Sequence, residues 1–196
     1  MSDSRVHVRS NPLCLEHDPG LGHPDSARRV EVILDALTSG TSGRWVVDRR
    51  APLPPEDDII GVLKWIHEAG YIERVRAAAE EGHGWLDTQD CRVSRGTFNA
   101  ALAGAGLALN AALDLVNGRL DRAFVVLRPP SHHAEKGAAK GYCFFNSVAL
   151  AAEVVAQSWA KPVLIADFDA HHGNGTQSCF FDRPDVGYVS VHGYPG

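Results

Sequence analysis

Apolar residues recur every three or four positions along the first part of the chain, a spacing that predicts amphipathic helices. In the first of these segments we expect Asp25 or Ser26 to cap the helix and Gly40 to end it. A later segment is rich in alanine and glycine, so its helix can pack closely against its neighbours. The pattern predicts helices over residues 25–40, 54–70, 71–84 and 94–118, and a short strand over residues 44–49.

Further along the chain, short continuous apolar runs replace the helical spacing. Such runs are typical of strands in a parallel sheet that helices cover on both faces. Their alternation with helical segments predicts an α/β protein, a three-layer αβα fold with a mainly parallel sheet, formed as one domain over residues 1–196. The predicted elements are strands at 122–127, 162–169 and 186–192, a helix at 144–160 and a loop at 128–143.

The composition and charge of the chain argue against a nucleic-acid partner and a membrane partner. The chain is 44% hydrophobic and 22% charged, with a net charge of −5, so we expect no direct nucleic-acid partner. No uninterrupted apolar run approaches the ~18 residues of a membrane span, and no hydrophobic signal region opens the chain. We therefore expect a cytoplasmic protein without a membrane partner, and the sequence is compatible with an oligomer. The four cysteines lack a C-x-x-C motif, which predicts reduced thiols.

A cluster of acidic and histidine residues ends the strand predicted at residues 162–169. Residues two apart in a strand face the same side, so Asp167, Asp169 and His171 are expected to project together. A carboxylate and an imidazole spaced in this way can bind zinc at ~2.0–2.2 Å. Asp167 lies one step deeper and is better placed to orient another side chain. The alternative is that these residues only form a turn after the strand.

A second polar cluster, containing His132 and His133, follows the neighbouring predicted strand. Both clusters lie at the carboxyl edge of the sheet, where α/β folds bind their ligands. Adjacent imidazoles suit general acid–base catalysis because they titrate near neutral pH. Asp167 is the natural partner of one ring and Asn174 a neutral partner of the other, which would separate the two pKa values. The convergence of the two clusters argues against simple turn formation.

The segment Gly141–Cys143 is open to two interpretations. It can form the wall of a narrow tunnel that leads to the histidines. It can equally pack in the core before the helix predicted at residues 144–160.

Together these motifs resemble the zinc-dependent histone deacetylase family, which includes bacterial deacetylase-like amidohydrolases and acetylpolyamine amidohydrolases. The resemblance rests on RPPSHHA, GYCFFNSVALAA and DFDAHHGNGTQ, in the family's order, and on an opening segment from His17 to Leu37. It implies the arginase/deacetylase-like form of the α/β fold. It also implies metal-assisted hydrolysis of acetyl-lysine, acetylpolyamine or a related acylated amine, in which zinc polarises the acetyl carbonyl and lowers the pKa of a bound water.

The resemblance also implies a role for each matching residue. His133 would take the proton of the attacking water, and His132, held by Asp167, would stabilise charge. The implied catalytic residues are His132, His133, Asp167 and Asn174, and the implied tunnel wall is Gly141 and Tyr142. The implied zinc ligands are Asp169 and His171, and a structural potassium ion would be bound by Asp167, Asp169, His171, Ser190 and Val191.

The sequence departs from the family pattern at several points. Ser131 stands where the family usually has glycine, and Tyr142 where it more often has phenylalanine. The family's third zinc ligand, an aspartate, and its oxyanion-stabilising tyrosine come well after the strand predicted at 186–192, whereas this sequence ends at Gly196. We therefore expect the C-terminal part of the domain to be missing from this chain.

Two other functions compete with a zinc deacetylase. The first is a truncated, inactive homologue that acts at most as a metal-binding or interaction module, which the missing carboxylate favours. The second, less favoured, is an arginase-like manganese ureohydrolase. Those enzymes place a further aspartate two residues after the histidine of the D-A-H element, and here that position is Gly173.

Overall fold

The structure, a computed structural model, describes residues 5–40, 43–159 and 161–193. Its strands are β1 (Val6–Arg9), β2 (Trp45–Asp48), β3 (Ala123–Val125), β4 (Val163–Asp167) and β5 (Val186–Ser190). All pairings between them are parallel: β1 lies between β2 and β3, and β4 pairs with β5. The predicted domain bounds, 1–196, and the last residue of the helix predicted at 144–160 lie outside the described residues.

The helices alternate with these strands, which confirms the α/β class. They are α1 (Arg28–Ser39), α2 (Glu56–Leu63), α3 (Ala69–Glu81), α4 (Thr97–Val116), α5 (Ser147–Ser158) and α6 (Asn174–Phe180). A short 3₁₀ helix, Pro12–Leu15, follows β1. Each helix predicted from the apolar spacing is present, most with bounds that differ by two or three residues, but the helix predicted at 54–70 ends at Leu63 and α3 begins at Ala69.

The central helix of the core is α4, which packs most extensively against α5. Its small residues permit close approach: a Cβ at Gly106 would lie 2.7 Å from the Ile59 side chain of α2. Among the described helices, α4 is long and apolar enough to cross a membrane, but 67% of its apolar window is buried inside the protein. That burial is what the core helix of a globular domain shows.

The strands form two hydrogen-bonded groups, rather than the one sheet that the sequence predicts. β3 is only three residues long, and Pro129 and Pro130 follow it closely. Proline has no N–H to donate to a ladder, so pairing cannot continue along this segment.

Three elements were not predicted, and one predicted cap is wrong. β1 and the 3₁₀ helix are too short for a period to stand out, and α6 begins within a Gly-Asn-Gly run of low helix propensity. α6 is fixed by contacts from elsewhere: the Thr176 N–H donates to the carbonyl of His132 at 3.0 Å.

Asp25 does not cap α1. The N-cap position of α1 is Ala27, without a side-chain bond, because the Asp25 carboxylate binds Arg128 instead.

The outer face of the β4–β5 pair carries exposed apolar side chains. Leu164, Phe168, Val189 and Val191 are 53–90% exposed, whereas Ile165 on the opposite face is buried. Parallel sheets are ordinarily covered on both faces. Within the described residues this face is therefore open.

A buried ion pair joins the start of the chain to the loop after β3. Arg128 Nε donates to Asp25 Oδ1 at 3.0 Å, and both side chains are almost completely buried. The guanidinium also donates to the carbonyl oxygens of His17 at 2.6 Å and Asp25 at 2.9 Å. The residue that opens the RPPSHHA motif is thus held from three directions, which fixes the loop that carries the histidine pair.

Candidate active site

The two histidine clusters meet where the loop after β3 approaches the end of β4. The rings of His132 and His133 lie against each other, with centroids 4.0 Å apart. The His171 ring lies 6.1 Å from that of His133. The structure therefore brings together the two strand ends that the sequence predicts to converge.

His132 is held by a carboxylate. Its Nδ1 donates to Asp167 Oδ2 at 2.9 Å, and the Tyr188 hydroxyl donates to the same oxygen at 2.9 Å. The Asp169 N–H donates to the other carboxylate oxygen at 3.1 Å. Burial favours a higher pKa for Asp167, but these hydrogen bonds outweigh it and lower the pKa below its usual value. Asp167 is thus a charged acceptor that fixes the His132 ring.

His133 is held by a neutral amide. Its Nδ1 lies 2.7 Å from Asn174 Oδ1. Burial lowers the pKa of His133, and the hydrogen bond to Asn174 only partly opposes this effect. The lowered pKa favours the neutral ring, which is the form that a general base requires. The two predicted pairings are present, one with a charged partner and one with a neutral partner, while the catalytic roles stay predictions.

Asp169 and His171 lie at the exposed rim of the same site. Asp169 Oδ1 is 3.2 Å from His171 Nδ1 and 3.8 Å from His132 Nε2. Two donors of one tetrahedral zinc ion lie roughly 3.3 Å apart, so the first separation fits a shared ion. No group of three His, Cys, Asp or Glu side chains suited to a metal occurs among the described residues. Zinc binding by Asp169 and His171 stays a prediction, and a catalytic zinc normally uses a third protein ligand as well.

The remaining residues predicted to bind potassium lie beside this rim. Ser190 is the register partner of Asp167, and the Val191 N–H donates to the Asp167 carbonyl oxygen at 3.0 Å. Parallel pairing of β4 and β5 thus places the whole predicted set in one neighbourhood. Potassium binding by these residues stays a prediction.

The Gly141–Cys143 segment lies partly against His133 and partly in the core, and its role as a tunnel wall stays a prediction. Gly141 has φ of +55°, and a Cβ there would lie 2.2 Å from Cδ2 of His133, so only glycine fits against that ring. The Tyr142 ring packs edge-on against His23 with centroids 4.7 Å apart. Cys143 is fully buried in the core. Gly141 therefore borders the histidine site, and Cys143 packs inside.

Comparison with known proteins identifies the family of the chain. A profile of the histone deacetylase domain matches residues 23–196. The chain belongs to the histone deacetylase family. A family relative from Pseudomonas aeruginosa, a histone deacetylase-like amidohydrolase, is 39% identical over 86% of this chain and 43% of its own length.

Other members show the same partial match. A probable deacetylase from Methanothermobacter thermautotrophicus is 36% identical over 89% of this chain and 50% of its own length. The crystal structure of the HDA15 HD domain matches with a TM-score of 0.85 and 30% identity, covering 98% of this chain and 54% of that one. The chain thus spans about half the length of these family members.

Tyr188 and Glu135 contact the site but were not predicted from the sequence. The Tyr188 hydroxyl donates to Asp167 and accepts the Gly173 N–H at 3.1 Å. Its position in a strand of the same parallel group, two residues before Ser190, is the signal that points to it, because alternate residues share a face. Glu135 accepts from Asn174 Nδ2 at 2.8 Å, a contact within an irregular loop that no periodicity reveals.

Gly173 lies against the side chains of Asp167, Tyr188 and His132, and it leaves no room for a Cβ. A Cβ there would lie 2.3 Å from Asp167 Oδ2, 2.7 Å from the Tyr188 hydroxyl and 2.9 Å from His132 Nδ1. Gly173→Ala is therefore expected to lower the free energy of unfolding by about 1–3 kcal/mol, since the hydrogen-bonded side chains must separate. Urea denaturation followed by circular dichroism measures the change.

Gly61 is the matched control for this substitution. It lies inside α2, and a Cβ there would meet nothing within 4 Å. Gly61→Ala should raise the free energy of unfolding by about 0.5–1 kcal/mol, because alanine is the better helix former. Equal stability of Gly173→Ala and the native chain would contradict the close packing around Asp167.

Proposed function

We propose that this chain carries the histidine pair and two metal ligands of a zinc-dependent deacetylase. The substrate class is an acetylated amine, such as acetyl-lysine or acetylpolyamine, and the reaction is hydrolysis of its N-acetyl amide. One observation carries the proposal. Two adjacent imidazoles with unlike partners, Asp167 and Asn174, lie beside the carboxylate–imidazole pair of Asp169 and His171.

Zinc, when bound by Asp169, His171 and a third ligand, would polarise the acetyl carbonyl of the substrate. The neutral His133 would take a proton from the attacking water at Nε2, because its Nδ1 already donates to Asn174. His132, held by the Asp167 carboxylate, would stabilise the charge that develops on the reacting amide. The protonated His133 would then deliver its proton to the leaving amine.

Three further proposals accompany this function. A structural potassium ion would bind between the ends of β4 and β5, where Asp167 and Ser190 are register partners. Gly141 and Tyr142 would line the path of the acylated chain to the histidines, since Gly141 lies against the His133 ring. We also propose that the protein acts in the cytoplasm.

A second candidate function is a metal-binding or interaction module without turnover. The observation that favours it is the donor set: within the described residues, no three metal-ligating side chains form a group. Two protein ligands hold zinc less well than the three that catalytic sites use. A manganese ureohydrolase has no comparable support, because Gly173 stands where such enzymes have a carboxylate.

The experiment that separates these functions is a paired measurement on the purified chain. Zinc content is determined by mass spectrometry, and hydrolysis of a fluorogenic acetyl-lysine amide is followed with and without a hydroxamate inhibitor. Stoichiometric zinc with hydroxamate-sensitive turnover would support the zinc-dependent deacetylase. Zinc-free protein without turnover would support the second candidate, and turnover that survives metal chelation would contradict zinc dependence.

A further inference from the structure

The amide of Asn174 lies between the His133 ring and the carboxylate of Glu135. Its Oδ1 is 2.7 Å from His133 Nδ1, and its Nδ2 is 2.8 Å from Glu135 Oε1. The same Nδ2 lies 3.4 Å from the carbonyl oxygen of His133. One end of the amide therefore faces a ring nitrogen, and the other end faces two oxygens.

These two oxygens determine the orientation of the amide. The Glu135 carboxylate and the His133 carbonyl oxygen can only accept hydrogen bonds, so the amide must turn its NH₂ group towards them. A flipped amide would place Oδ1 against the carboxylate and lose both bonds. With NH₂ directed at Glu135, Oδ1 faces His133 Nδ1, and that nitrogen must carry the hydrogen. The neutral ring then has its free lone pair at Nε2.

His132 needs no such third residue. Its partner, Asp167, is a charged carboxylate whose oxygens are both acceptors, so rotation of the group cannot change the tautomer of the ring. An amide presents an acceptor on one side and a donor on the other. The tautomer of His133 therefore depends on the contacts that fix the Asn174 amide. The tautomer of His132 does not depend on the orientation of its partner, Asp167.

Glu135 is itself fixed by contacts on both its side chain and its backbone. Lys140 Nζ donates to Glu135 Oε1 at 2.7 Å. The hydrogen bonds from Lys140 and Asn174 hold the pKa of Glu135 below its usual value, although burial opposes them. His67 Nδ1 donates to the Glu135 carbonyl oxygen at 2.9 Å. The carboxylate is thus charged and held in place, as an orienting group must be.

The donor role of His67 follows from its other nitrogen. Nε2 lies 2.9 Å from the N–H of Asn146, and a backbone N–H only donates, so Nε2 accepts and Nδ1 carries the hydrogen. Burial lowers the pKa of His67 to about 4, which keeps this ring neutral. The buried His67 therefore anchors the Glu135 backbone to the first turn of α5.

We propose that Glu135 is a positioning residue that sets the tautomer of His133 through the Asn174 amide. The inference rests on the proposed function, in which His133 uses a free Nε2 to accept a proton. Glu135 does not touch the reacting atoms. It acts through Asn174 and His133, by holding the amide in the one orientation that leaves Nε2 of His133 free.

The test is the tautomer of His133, measured directly. Long-range ¹H–¹⁵N correlation spectra of the ¹⁵N-labelled chain near pH 8 distinguish Nδ1–H from Nε2–H rings, and His133→Gln identifies the signal. The native chain is expected to show Nδ1–H. In Glu135→Ala the ratio of Nδ1–H to Nε2–H should fall about tenfold, as loss of a hydrogen bond to a charged group implies. Glu135→Gln keeps an acceptor oxygen and should restore the native ratio.

A charge-swapped variant gives the converse result. Glu135→Lys combined with Lys140→Glu keeps an ion pair in the loop but presents a donor to Asn174. The amide should then turn its oxygen to the new ammonium, and the His133 signal should change to Nε2–H. This variant retains the ion pair if Glu135→Ala fails to fold. A purely structural role for Glu135 predicts no such reversal.

A control substitution outside the site tests whether the spectral changes are specific to Glu135. Glu80→Ala, at an exposed position of α3, should leave every imidazole signal unchanged. A native Nδ1–H tautomer in both Glu135→Ala and the charge-swapped variant would overturn the proposal. The spectra require neither metal nor turnover. An inactive native chain that still shows the expected tautomers would refute the proposed function alone, and an active chain with unchanged tautomers would refute only the role of Glu135.

Discussion

Replacing His133 with alanine is expected to lower kcat for an acetyl-lysine amide by ~10²–10⁴-fold, the usual contribution of a general base. The ring lies within the site but is not one of the proposed metal ligands, so zinc content should stay at the native level. His171→Ala should instead lower the zinc content, because His171 is one of the proposed zinc ligands. Parallel measurement of zinc content and turnover separates the two roles.

His83 provides the control for these histidine substitutions. It is an exposed residue in the segment after α3. His83→Ala should therefore change neither zinc content nor kcat. A His133→Ala variant that keeps most of the native rate would exclude His133 as the base and with it the assigned mechanism.

The second large effect is on stability, at the buried ion pair. Asp25→Ala would leave the guanidinium of Arg128 buried without a charged partner. Breaking a buried pair from one side typically costs about 3–5 kcal/mol, because the remaining charge stays desolvated. We expect the free energy of unfolding, measured by urea denaturation, to fall by that amount.

Asp35 offers a matched surface control. Its carboxylate pairs with Arg49 at 2.7 Å, but the Asp35 side chain is 71% exposed. Asp35→Ala should change stability by no more than ~1 kcal/mol, as for other surface ion pairs. Equal effects of Asp25→Ala and Asp35→Ala would show that Arg128 finds water or another partner when Asp25 is removed.

The sequence predicted the fold class and the location of the site for identifiable reasons. Apolar spacing located the long helices, since burial of one face imposes a period of 3.6 residues. The site was predicted because polar clusters follow two apolar runs, and the ends of parallel strands share an edge. His132 and Asp167 are 35 residues apart in the chain and yet form a hydrogen bond.

The features that were missed depend on contacts between distant or irregular segments. α6 forms although its sequence favours a turn, because the loop of His132 supplies a hydrogen-bond acceptor to Thr176. Glu135 reaches Asn174 across 39 residues from an irregular loop. Asp25 has the residue type of a helix cap, but the buried Arg128 provides a stronger partner. Local propensity contains no information on any of these contacts.

The ion pair between Asp25 and Arg128 also bears on the order in which the chain folds during its synthesis. The two residues are 103 positions apart, and β1 pairs with β3 across a similar separation. At translation rates of roughly 5–20 residues per second, the ribosome needs about 5–20 s to produce the second partner after the first. During that interval the N-terminal segment can pair with β2, but Asp25 lacks its buried partner Arg128 and has only the exposed Arg29 close by. Completion of the histidine loop and burial of the N-terminal segment are therefore late, coupled events of cotranslational folding.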